Sequence, residues 1–207
     1  MAVIDFKVIQ DVINVGKRMD KLQLANKYSG NVSVKKDGLL YISPSGKSKE
    51  TLTAEMVAVI DTAGNRVSGL KPSSELVMHS ALYTMRDNIG GVVHSHAPFL
   101  TAFAMCHKDF AFPASAEYIW DFKVAKVLPY GRPGTIDIIN GAEELLKQNR
   151  NLFLLANHGA LSVGETVWDA LDNLEAAETA AKTYVISKLI GEPVSLPDDE
   201  VDYFMNL

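Results

Sequence analysis

The stretch that most constrains this chain is Val92-Val93-His94-Ser95-His96, set off by Gly90-Gly91. Two β-branched residues after a glycine break read as a short buried strand. Side chains two apart on a strand share a face, so His94 and His96 present two imidazoles side by side. The fold must therefore deliver two polar rings to the end of an apolar strand. Such a pair fits a divalent metal, with zinc the default for nitrogen-rich ligands. It fits equally two hydrogen-bonded histidines at a strand end.

Residues 5–22 have the pattern of an amphipathic helix, with Asp5 as N-cap and Phe6, Ile9, Ile13 and Leu22 on one stripe. Val32 and Val34 alternate with polar residues, Lys35-Lys36-Asp37-Gly38 is a hairpin turn, and 39–42 is the return strand. A polar loop over 43–48 precedes a strand over 56–61, closed by Thr62-Ala63-Gly64-Asn65. Pro72-Ser73-Ser74-Glu75 starts a helix running to about residue 86, with a serine as its cap and Glu75 in its first turn. After the histidine strand, 98–106 reads as a helix opened by proline, and 107–122 resists assignment. Residues 124–129 read as strand, 136–149 as helix, and 152–156 as a central strand buried on both faces. A short strand over 160–164 follows, and Thr166 caps a long helix ending near residue 190. The acidic tail, about 195–207, is placed to dock on the body or on a neighbouring subunit. With no linker or repeat, this mixture predicts one α/β domain over 1–207, and the hairpins argue against a purely parallel sheet.

Composition narrows the function. The 207 residues are 47% hydrophobic and 22% charged, the profile of a soluble globular protein. A net charge of -5 offers no bulk attraction to nucleic acid or anionic lipid, so an anionic ligand needs a local pocket. The single cysteine, Cys106, excludes a disulfide framework and thiolate-rich zinc sites, and its apolar neighbours predict a small buried hydrophobe. The stretch from Met1 to Lys7 has no basic region followed by a long apolar run, and no run approaches the ~20 residues of a membrane span. Neither signal peptide nor membrane span is expected, and the expected location is cytoplasmic.

A third histidine, His158, stands between Asn157 and Gly159, far along the chain. If the fold joins it to His94 and His96, three imidazoles leave a fourth position open on a zinc ion, as in catalytic sites. His79, inside a helix, reads as a core or surface histidine, and His107 carries no assigned role. Glu75 is either a first-turn carboxylate favoured by the helix dipole or, beside a metal, a general base. Gly30-Asn31, Ser45-Gly46 and Ser73-Ser74 lie at turns or helix starts with unpaired backbone N–H groups. Converging, they make an anion cradle; apart, they are ordinary turns.

Taken in order, Gly30-Asn31-Val32-Ser33, Ser45-Gly46, Pro72-Ser73-Ser74-Glu75, His94-Ser95-His96-Ala97 and Asn157-His158-Gly159 with Gly164 before a long helix resemble the class II aldolase/adducin head family. Within it they are similar to the L-fuculose-1-phosphate aldolase branch, over residues 5–190. The resemblance implies a three-layer α/β/α sandwich with a mostly antiparallel central sheet, and a homotetramer with active sites at subunit interfaces. It implies His94, His96 and His158 as zinc ligands, Glu75 as acid/base, and Asn31, Ser45, Gly46, Ser73 and Ser74 as the phosphate-binding set. The implied reaction is zinc-dependent, reversible cleavage of a phosphorylated ketose to dihydroxyacetone phosphate and an aldehyde. The branch takes its second acid, a tyrosine, from the neighbouring subunit; Tyr118 matches by residue type, whereas counting from Pro113 puts Glu117 in register. The same motifs serve pentulose-phosphate 4-epimerases and methylthioribulose-phosphate dehydratases. Adducin-like interaction modules keep the fold without the metal ligands.

Overall fold

The computed structural model describes residues 3–26 and 28–207; Met1 and Ala2, part of the stretch read for a signal peptide, lie outside the described residues. In chain order the elements are α1 (Phe6–Lys21), β1 (Asn31–Lys36), β2 (Leu39–Ile42), β3 (Ala58–Ile60), β4 (Arg66–Ser68), α2 (Leu76–Met85), β5 (Gly91–Ser95), α3 (Pro98–Met105), α4 (Ala116–Phe122), β6 (Lys126–Leu128), α5 (Ala142–Lys147), β7 (Leu152–Leu155), β8 (Gly159–Gly164), α6 (Val167–Ile190) and α7 (Asp198–Asn206). The strands form one sheet in the order β4-β3-β2-β1-β5-β8-β7-β6. Every neighbouring pair is antiparallel except β6 and β7.

The pleat sorts the core onto two faces. Val32, Val93, Leu152, Leu154 and Ala160 pack with α1, α3 and α6 on one side. Val92, Phe153, Leu155, Leu161 and Val163 pack with α2 and α5 on the other. The result is the expected three-layer α/β/α sandwich. Local chemistry explains its corners. Asp37 and Gly38 take φ of 49° and 76°, the left-handed pair whose twist suits a two-residue hairpin turn. Thr166 and Asp169 form a reciprocal capping box that launches α6 straight after β8.

Several boundaries depart from the sequence expectations. The buried face of α1 is Val8, Ile9, Val12, Ile13, Val15 and Met19, while Phe6 and Leu22, at the two ends, are exposed. Glu75, not a serine, occupies the N-cap position of α2, and the Ser73 hydroxyl instead accepts from the Glu75 N–H at 3.2 Å. The strand expected over 56–61 begins only at Ala58, because Ala54–Met56 closes a 3-10 turn. β4 went unseen because it is an exposed edge strand with no buried face. The helix expected over 136–149 is broken: Ile136–Ile139 is a 3-10 turn, and Gly141 at φ 87° cannot continue a right-handed helix. β7 is buried on both faces but lies second from the sheet edge, so its burial comes from the helical layers rather than a central position. Cys106 is exposed, and it lies past the last turn of α3 as its C-cap residue. The unassigned 107–122 segment holds α4. The tail docks on the body: Leu196 N–H donates to the Pro113 carbonyl (3.0 Å) and Lys123 Nζ to the Met205 carbonyl (2.8 Å). No helix among the described residues is long and apolar enough to cross a membrane.

Candidate active site

Sheet order assembles the site. β5 runs between β1 and β8, with Asn31 opposite His94 on one side and Ala160 opposite Ser95 on the other. His158 occupies the turn that delivers the chain into β8. Two glycines allow the close approach. At Gly30, with φ +70°, a Cβ would lie 2.7 Å from the His94 carbonyl oxygen; at Gly159 it would lie 2.3 Å from that of Ser95. Gly159→Ala should therefore lower stability by about 3 kcal/mol, the upper range of overpacking, and push His158 off its neighbours. Denaturant unfolding of the variant checks the first effect.

The three imidazoles converge. His94 Nε2 lies 3.2 Å from His96 Nε2 and 3.1 Å from His158 Nε2. The ligand atoms of all three fall within 4.8 Å of one another. A tetrahedral zinc with bonds of about 2.0–2.1 Å spaces its nitrogens by about 3.4 Å, close to the two spacings from His94. The Nδ1–H of His94 donates to the Ala160 carbonyl at 2.9 Å, which leaves Nε2 as the lone-pair nitrogen. Burial pushes His94 below its usual range, and burial with the neighbouring rings pushes His96 down to about 4. With the His94 lone pair and the Nε2 atoms of His96 and His158 turned to one point, this nitrogen donor set fits a divalent metal.

Glu75 closes the cluster. Its Oε1 lies 3.1 Å from His158 Nε2, and its Oε2 lies 3.4 Å from His94 Nε2 and accepts from Asn31 Nδ2 at 2.7 Å. Burial pushes this carboxyl up, yet it is held below the usual carboxylate range, and the N–H bond from Asn31 is one of the contacts that favour its charged form. It stands ionised at neutral pH.

Asn31, Ser45, Gly46, Ser73 and Ser74 all line one cleft of about 260 Å³, together with Glu75, His96 and His158. Each anion-cradle turn thus faces the same space. A larger groove of about 490 Å³ over β2 and α2, with Leu39, Leu40, Ile60 and Leu76 among its lining, holds none of these groups. The cleft also contains a residue that sequence reasoning missed. Lys49 is 2% exposed, donates to the Tyr28 carbonyl at 3.2 Å, and is pushed down to about 8 by burial against the pull of Glu75 and Asp20. In the sequence it directly follows the polar loop and is no different in pattern from Lys47.

The remaining residues fall elsewhere. Tyr118 lies on α4, half-buried, with its ring stacked on Phe112 at 6.0 Å, and is not part of the cleft wall of its own chain. Glu117, beside it, is exposed. His79 is a fully buried core histidine. His107 bonds through Nε2 to Asn157 Oδ1 at 2.6 Å, beside the turn that carries His158.

The profile of the family described as Class II Aldolase and Adducin N-terminal domain matches residues 10–185. A 3-oxo-tetronate 4-phosphate decarboxylase of Haemophilus influenzae is 37% identical over 165 residues, covering 75% of this chain and 76% of its own. A 5-deoxy-D-ribulose 1-phosphate aldolase of Bacillus thuringiensis is 33% identical over 198 residues, covering 93% and 91%. A solved L-fuculose 1-phosphate aldolase superposes with a TM-score of 0.85 at 31% identity, over 98% of this chain and 96% of that one.

Proposed function

The chain belongs to the Class II Aldolase and Adducin N-terminal domain family, and from that premise we propose that it is a cytoplasmic, zinc-dependent lyase that reversibly cleaves a phosphorylated ketose resembling L-fuculose 1-phosphate to dihydroxyacetone phosphate and an aldehyde. The observation that carries this reading is the convergence of three imidazoles and the Glu75 carboxylate in a cleft walled by hydroxyl- and glycine-rich turns.

His94, His96 and His158 would hold the metal. When bound, a zinc ion supplies, as a Lewis acid, the positive charge opposite the oxyanion that develops as the carbon–carbon bond changes. In the synthetic direction, Glu75 takes a proton from the carbon beside the dihydroxyacetone phosphate carbonyl. The enediolate carbon then bonds to the aldehyde carbon, and an acid protonates the new alkoxide; cleavage is the reverse. Ser45, Gly46, Ser73 and Ser74 would receive the phosphate through hydroxyls and backbone N–H groups, with Lys49 as a cation on the same wall. Asn31 spends one N–H on Glu75 and would offer the other to a phosphate oxygen. Tyr118 would supply the second acid to a neighbouring subunit's cleft, and the active sites would then lie at the interfaces of a homotetramer.

A second reading draws support from the decarboxylase relative at 37% identity. Loss of CO₂ from a 3-oxo acid leaves the same enediolate as cleavage of the ketose, so the same cleft could serve both reactions. The test is to supply L-fuculose 1-phosphate, 5-deoxy-D-ribulose 1-phosphate and 3-oxo-tetronate 4-phosphate separately and follow dihydroxyacetone phosphate. Release with an aldehyde supports the aldolase, and release with CO₂ supports the decarboxylase. No dihydroxyacetone phosphate from any of them, with epimerised or dehydrated product from a pentulose phosphate or methylthioribulose phosphate, would overturn both.

A further inference from the structure

We propose that His79 is a positioning residue: it terminates a buried, one-directional chain of hydrogen bonds that sets the amide of Asn31 and, through it, the carboxylate of Glu75. The chain rests on two matched periodicities. Asn31 and Ser33 stand two apart on β1 and share a face, while Glu75, His79 and Tyr83 stand four apart along the start and body of α2 and face that strand. Their polar atoms meet in series. Asn31 Nδ2 lies 2.7 Å from Glu75 Oε2, and Asn31 Oδ1 meets His79 Nε2. His79 Nδ1 lies 2.6 Å from Ser33 Oγ, which lies 2.8 Å from the Tyr83 hydroxyl. All five side chains are buried.

Chemistry allows the chain to run only one way. Asn31 Nδ2 donates to Glu75 Oε2, so the NH₂ end of the amide faces the carboxylate. The amide oxygen then faces His79 and needs a donor, which must be Nε2–H. Burial pushes His79 down to about 3, so the ring holds a single proton at neutral pH and Nδ1 is a lone pair. Ser33 O–H therefore donates to Nδ1, and Ser33 Oγ accepts from the Tyr83 hydroxyl, which burial pushes well above its usual range and so keeps protonated. Every link points toward Glu75. An amide does not pass protons along such a row, so the chain orients the base and does not feed it. Without His79 the Asn31 oxygen would be stranded without a donor in the interior, and rotation of the amide would set oxygen against carboxylate.

This inference rests on Glu75 being the acid/base, and its first test does not use substrate. Nitrogen-15 NMR of the histidine side chains, with the His79 signals assigned by their loss in His79→Gln, should find His79 as the Nε2–H tautomer at pH 7. The Nδ1–H tautomer would overturn the proposal whatever reaction the protein catalyses. The second test is kinetic. His79→Leu should lower kcat by about 10- to 100-fold while KM for the phosphorylated substrate changes little, in the range seen for residues that orient a ligand or base from behind. His79→Gln, which keeps a donor toward Asn31 and an acceptor toward Ser33, should recover most of that loss. Deuterium exchange into dihydroxyacetone phosphate, which reads proton removal alone, should fall in parallel. Wild-type kcat in a folded His79→Leu variant, or equal loss in both variants, would reduce His79 to a packing residue. If the wild-type protein turned over no sugar phosphate, the functional reading would fail while the tautomer still decided the chain's direction.

Discussion

Glu75→Gln should lower turnover by about 10²- to 10⁴-fold, the usual worth of a positioned general base, while the protein keeps its metal and its fold. The substitution is close to isosteric. A glutamine oxygen can still accept the Asn31 N–H that now reaches Glu75 at 2.7 Å, so the buried row behind it keeps its terminus. What disappears is the ability to take a proton. The metal should remain because His94, His96 and His158 supply three nitrogen donors that the substitution leaves in place. Steady-state kinetics paired with elemental analysis separates the two contributions, and an unimpaired variant with full metal would remove Glu75 from the mechanism.

His94→Ala should abolish both metal binding and activity. His94 is the middle member of the cluster, with its Nε2 within 3.2 Å of both other rings and its Nδ1 tied to the Ala160 carbonyl. Changes that merely loosen a ligand's outer partner cost about 10- to 100-fold in affinity, so loss of the ligand itself should exceed that. Metal that binds only the folded chain also raises its melting temperature. Added zinc should therefore raise the Tm of the metal-stripped wild-type protein and leave that of His94→Ala unmoved. A variant that still took up one metal per chain would place the metal elsewhere.

The features legible in the sequence are those whose physics is local. Asp37-Gly38 specifies its turn, Thr166 and Asp169 their capping box, and Val92-Val93 a buried strand carrying two same-side rings. The joining of His158 to His94 and His96 is not local. It depends on β8 pairing with β5, and only the order of separate motifs along the chain pointed to it. Glu75 carried two readings because a carboxylate at a helix start looks alike whether it faces solvent or a cluster of imidazoles. Lys49 was invisible, since nothing in a polar loop marks which lysine turns inward. Cys106 misled for the opposite reason: its apolar neighbours belong to α3, but the helix ends before it.

The measurement that bears most directly on the central claim is dihydroxyacetone phosphate release by protein stripped of metal and then titrated with zinc. The account predicts that activity vanishes on stripping and returns in proportion to bound zinc, reaching its maximum at about one ion per chain. Full activity in the metal-free protein would contradict it.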